Sequence, residues 1–169
     1  MADLLNNKVT DSGIITIDIA SLLPANEIVL FDIKPFLFKE LILKEKDFRY
    51  SLSNMDWIKY QDKIVGIYCS VDVIIPMWAN MLIVAAINPF ASAVYYGDEI
   101  KVREQQLLEH ISNLDLTPFN NQRVVIKGCG ELPIGESAYV AITQKLRPVV
   151  KSIMYGEPCS TVPVYKRKD

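Results

Sequence analysis

The chain has 169 residues, half of them hydrophobic and 22% charged, and carries a formal net charge of −2. A chain this long buries about two-thirds of its unfolded surface without covalent staples, so a single compact domain over residues 1–169 is expected. Nucleic-acid binding is excluded as a reading, because no basic stripe is present to neutralise phosphates.

The longest apolar stretch, Val73 to Ile87, is interrupted by Pro76 and Asn80 and falls short of the roughly 20 residues a membrane span requires. It reads as a buried helix. Met1 to Thr10 lacks the apolar core of a signal peptide, which predicts a flexible N-terminus and a cytoplasmic protein with reduced thiols.

In chain order, Ile14 to Ile19 alternates as a half-buried strand and Ile28 to Ile33 follows as a second. The turn-forming residues Leu22 to Asn26 between them predict an antiparallel hairpin at one edge of the sheet. Lys34 to Tyr60 is expected to be mostly helical, with Phe48, Leu52 and Met55 on one face.

Four β-branched and aromatic runs then alternate with three helix-length segments: Lys63 to Cys69, Ala93 to Gly97, Arg123 to Lys127 and Val149 to Tyr155. The helices are predicted over Met77 to Asn88, apolar on nearly every side, over Glu99 to Leu114, and over Glu136 to Arg147, which stops before Pro148. In the second, Ile100, Leu107, Leu108, Ile111 and Leu114 form the apolar stripe. Right-handed crossovers between such strands give an α/β fold, expected as a three-layer, mostly parallel, doubly wound sheet with the N-terminal hairpin at its edge. The C-terminal ends of the parallel strands then share one rim, where open α/β folds bind ligands. Residues 164–169, with Lys166, Arg167 and Lys168, read as a solvated basic tail.

The three cysteines carry the chemistry. Cys69 ends the first parallel strand, Cys129 lies just past the third, and Cys159 follows the fourth. An odd number of widely spaced cysteines argues against a disulfide framework. Brought together on one rim, three thiolates suit zinc or an iron-sulfur cluster, with Asp72, Glu99 or Glu157 as candidates for a fourth ligand. Two other readings stand beside this one. Free cysteines are often small buried hydrophobes, which would leave an interaction scaffold. Alternatively Cys129, between Gly128 and Gly130 and two residues past Lys127, is a nucleophile in a sulfur carrier or transferase. The lone histidine, His110, falls on the polar side of its helix and reads as a surface residue, so no Cys-His pair is available. Gly128 and Gly130 fit a tight turn better than a phosphate loop, and Trp57 and Trp78 read as core.

The run KSIMYGEPCSTVPVYKRK, together with FDIKPFLF, LILKEKDFR, CSVDVIIPMWANML and VVIKGC, resembles the uncharacterised bacterial family known by the domain-of-unknown-function number 2480. The likeness covers nearly the whole chain. It implies that the segments holding Cys69, Cys129 and Cys159 belong to the family's pattern, and it transfers no catalytic residue. The family's association with the sulfur-mobilisation system implies an accessory role among iron-sulfur assembly proteins as partners.

Overall fold

The computed structural model of the protein describes residues 13–128, 134–157 and 160–168. The chain divides into two compact units: unit 1 runs to Pro24 and resumes at Glu104, and unit 2 comprises Ala25–Arg103. Strand β1 (Ile14–Asp18) belongs to unit 1. Unit 2 supplies β2 (Ile28–Asp32), the short strands β3 (Leu37–Phe38) and β4 (Ile42–Leu43), α1 (Glu45–Ser53), β5 (Ile64–Tyr68), α2 (Met77–Ile87) and β6 (Ala93–Tyr96). Helix α3 (Glu99–Ser112) contains the boundary, and unit 1 continues with β7 (Arg123–Lys127), α4 (Glu136–Leu146), β8 (Ser152–Glu157) and β9 (Ser160–Lys166).

The α/β class and the largely parallel strands match the sequence reading, but the parallel strands fall into two sheets. Unit 1 has the order β1-β7-β8-β9 and unit 2 the order β2-β5-β6. The first two strands do not pair with each other, which corrects the expected hairpin. Instead β1 runs parallel to β7, with Asp18 opposite Lys127, and β2 runs parallel to β5, with Asp32 opposite Tyr68. The reason lies in their apolar residues: Ile17 is buried with Val124, Ile126 and Ile153, whereas Phe31 is buried in a different cluster with Val65 and Ile67. The antiparallel hairpin in this part of the chain is β3–β4. It also interrupts the helix expected over residues 34–60, which is limited to α1. Lys39 and Glu40 have positive φ between the two short strands, a conformation no helix admits.

Each unit has its own core. In unit 1 the strands pack against Leu107 and Ile111 of α3 and Ile142 and Leu146 of α4. In unit 2 they pack against Phe48 and Leu52 of α1 and Ile83 and Ile87 of α2. Two helical readings need correction. Helix α2 is apolar all round yet buries only one side, leaving Met77 and Met81 79% and 70% exposed, and Ile100 of the predicted α3 stripe is 74% exposed. The C-terminal residues read as a solvated tail extend β9, and Arg167 is held by donating its backbone N–H to Lys151 and its guanidinium to the Asn121 side chain at 2.6 Å. No helix among the described residues is long and apolar enough to cross a membrane.

The two units follow one plan at a constant offset of 59 residues. Glu45–Ser53 of α1 corresponds to residues 104–112 of α3, β5 to β7, α2 to α4, and the start of β6 to the start of β8. Buried Ala79 and Ile83 match buried Ala138 and Ile142, and Pro89 matches Pro148 just past each helix. The turns agree in detail. Asp56 and Asp115 each accept a 3.0 Å hydrogen bond from the amide two residues on. Asp62 and Asn121, with φ 60° and 56°, donate their amides to Phe90 and Val149 at 2.9 and 2.8 Å. Asp and Asn are the non-glycine residues that best tolerate this left-handed backbone. The first strands match at a shorter offset, Ile17-Asp18-Ile19 against Phe31-Asp32-Ile33. Among the described residues, strand β9 is found in unit 1 alone and the β3–β4 hairpin in unit 2 alone.

An equivalent glycine stands at the end of the third strand of each repeat, Gly97 just after β6 at φ 135° and Gly156 as the penultimate residue of β8 at φ 119°. A Cβ would stand 2.6 Å from the Lys101 Cβ in the first case and 2.6 Å from the Ser160 carbonyl oxygen in the second. Both the backbone angle and the neighbouring atoms exclude a side chain. Gly97→Ala and Gly156→Ala should each lower stability by about 1–3 kcal/mol, read as a reduced urea midpoint with an unchanged slope. A midpoint equal to that of the parent protein would show that neither feature constrains these turns.

Candidate functional site

The C-terminal ends of the parallel strands form an edge in each unit, and the residues there repeat. In unit 2, β2 ends at Asp32, β5 is followed by Cys69 and Ser70, and β6 by Gly97 and Asp98. In unit 1, β1 ends at Asp18, β7 is followed by Gly128, and β8 ends in Gly156 and Glu157.

Asp32 is the most fully satisfied group on these edges. Its Oδ1 accepts the amides of Lys34 at 2.9 Å and Ser70 at 3.0 Å, while Oδ2 accepts the Ser70 hydroxyl at 2.6 Å. Partial desolvation pushes its pKa up, but the Ser70 hydroxyl, the two amides and the nearby Lys34 charge outweigh it and hold the carboxyl below its ordinary value. The interaction ties the loop after β5 to the end of β2. Asp18 makes the first part of the same arrangement, accepting the Ala20 amide at 3.1 Å, and its second oxygen lies 3.6 Å from Lys127 Nζ.

Cys69 is half-buried, unbridged and packed against the aromatic core of unit 2, where Phe31 stacks on Phe36 and Trp57. This is how a small hydrophobe behaves. Cys129 and Cys159 lie outside the described residues. Of the candidate fourth ligands, Asp72 and Glu157 are exposed, and Glu99 is ion-paired with Arg103 at 2.7 Å. His110 is exposed on the last turn of α3, as the sequence reading has it. Among the described residues, no group of three or more His, Cys, Asp or Glu side chains is placed to hold a metal ion.

Around the end of β7, Gly128 sits beneath the Tyr139 side chain of α4. A Cβ at position 128 would collide with the tyrosine hydroxyl. Tyr139 in turn meets Tyr155 of β8 edge-to-face, with centroids 5.7 Å apart and an interplanar angle of 81°. The sequence reading missed Asp18, Asp32 and this tyrosine pair. The signal for the aspartates was present, since both early strands are Ile-led apolar runs that end in Asp-Ile.

Because Asp32 titrates low in the folded protein, its contribution to stability is complete above the unfolded carboxylate pKa. It is lost as pH falls through the folded value. Ser70→Ala removes the hydroxyl donor, so the Asp32 titration, followed by carboxyl 13C NMR, should move upward toward the ordinary carboxylate range. An unchanged titration would mean that Ser70 does not hold the carboxylate.

No curated protein and no solved structure matches the sequence. The model of the family described as protein of unknown function (DUF2480) matches residues 3–167. With nearly its whole length matched, the chain belongs to the DUF2480 family.

Proposed function

We propose that this protein is an accessory factor that binds a metal ion or an iron-sulfur cluster through its cysteine thiolates and serves iron-sulfur cluster assembly. The supporting observation is the pairing of β7 with β8. They are parallel neighbours with Ile126 opposite Tyr155, so the chain leading to Cys129 and the chain leading to Cys159 leave one edge of one sheet. Thiolates are the soft ligands that zinc and iron-sulfur clusters favour. The thiol-transfer alternative gains less support, because the ammonium of Lys127, which would stabilise a Cys129 thiolate, already faces the Asp18 carboxylate.

Anaerobic purification with metal and sulfide analysis, before and after reconstitution with iron plus sulfide or with zinc, tests the proposal. The expected result is a stoichiometric bound metal, with a charge-transfer absorption band if the load is a cluster. Cys129→Ser and Cys159→Ser should each abolish loading while leaving the far-ultraviolet circular dichroism unchanged. Cys69→Ser, by disturbing core packing in unit 2, is expected to lower stability by about 1 kcal/mol. A protein that stays metal-free after every reconstitution contradicts the proposal.

A further inference from the structure

The face of unit 1 between α4 and strands β7, β8 and β9 contains a cavity of about 250 Å³. Its floor is Ile126 and Ile153, and its walls are Tyr139 and Thr143 of α4, Met154 and Tyr155 of β8 and Val164 of β9. We propose that this cavity is a binding site for a small neutral aromatic group of about indole size, distinct from any thiolate site.

Three observations point to that class of ligand. The first is volume: an apolar cavity of about 150 Å³ already accepts a benzene ring, so one larger than this takes a fused ring. The second is charge. Among the described residues no Asp, Glu, Lys or Arg lines the cavity, and a charged ligand would lose its hydration against them without gaining a partner. The third is the character of the walls. The edge-to-face tyrosine pair presents ring faces and edges, and the Met154 thioether is a favourable neighbour for an aromatic edge.

The internal repeat supplies a control for whether these residues are merely what the fold requires. The positions in unit 2 that correspond to Tyr139, Thr143 and Met154 are Asn80, Val84 and Tyr95. The plan is therefore compatible with a short amide where the Tyr139 ring stands, with a hydrocarbon where Thr143 has its hydroxyl, and with a bulky ring where Met154 is flexible. Val164 belongs to β9, which among the described residues is found in unit 1 alone. Gly128 is equally specific, since any side chain there would drive Tyr139 from its place, and unit 2 has Cys69 at that position. Of the lining residues Tyr155 and Ile126 have the same residue in unit 2, Tyr96 and Ile67, and Ile153 a similar one, Val94, whereas Tyr139, Thr143 and Met154 are where the two repeats diverge.

Indole is the probe for the test, added to protein carrying 13C-methyl methionine. Its binding should shift the Met154 methyl resonance saturably. Val164→Trp, a change at an exposed wall residue that fills the opening, should weaken indole binding at least tenfold with circular dichroism unchanged. Should that variant fail to fold, Thr143→Leu, on a partly exposed helix position, carries the same expectation. No saturable shift in the parent protein, or equal affinity in the folded variants, overturns the proposal. Metal loading of the same variants should equal that of the parent, which separates this site from the thiolate chemistry.

Discussion

Parallel pairing between an early strand and one far along the chain holds each unit together. In unit 2, β2 reaches β5 across the hairpin and α1; in unit 1, β1 reaches β7 only after all of unit 2 has been traversed. Parallel strands always need such crossovers. The entropic cost of closing a loop grows only with the logarithm of its length, so the longer closure is affordable once the apolar faces are buried. Ile17 and Ile19 in one unit, and Phe31 and Ile33 in the other, supply that burial on either side of an aspartate that turns the chain away from the strand. Everything on the edges follows from where these two strands end.

The repeat changes how the cysteines are read. Spacing alone suggests that Cys69, Cys129 and Cys159 occupy matching points of successive strand-helix units. At the observed offset, however, Cys69 corresponds to Gly128, Cys129 to Ser70, and Cys159 follows a glycine-acid pair whose counterpart in unit 2 is Gly97-Asp98. Each central strand is thus followed by a cysteine, shifted by one position between the units. Ser70, which stands at the position of Cys129, donates its hydroxyl to Asp32. Cys159 belongs to the connection into β9, an addition of unit 1.

Much of the architecture was legible because local signals were strong. The β-branched runs at β5 and β7 and the prolines after α2 and α4 mark those elements directly. Pairing was not legible: alternation in Ile14 to Ile19 says that one face is buried, but not against which strand. Strand β9 was hidden by Pro163 and its basic end, and the structure accommodates that proline opposite Met154, next to a register irregularity. The repeat is faint in the sequence because its core positions preserve size and apolarity more than identity, as in Phe48 and Leu107 or Tyr60 and Phe119. Of the candidate site, the thiols were evident from composition. The tyrosine pair and the cavity it lines were not, because only tertiary packing sets Tyr139 over Gly128.

The duplicated plan rests on β1 and β2 each pairing in parallel within its own unit. Cross-strand nuclear Overhauser effects in an isotope-labelled sample measure this directly. Parallel pairing within each unit predicts contacts between Ile17 and Ile126 and between Phe31 and Ile67. Contacts linking residues 14–18 to residues 28–32 as an antiparallel ladder would contradict it.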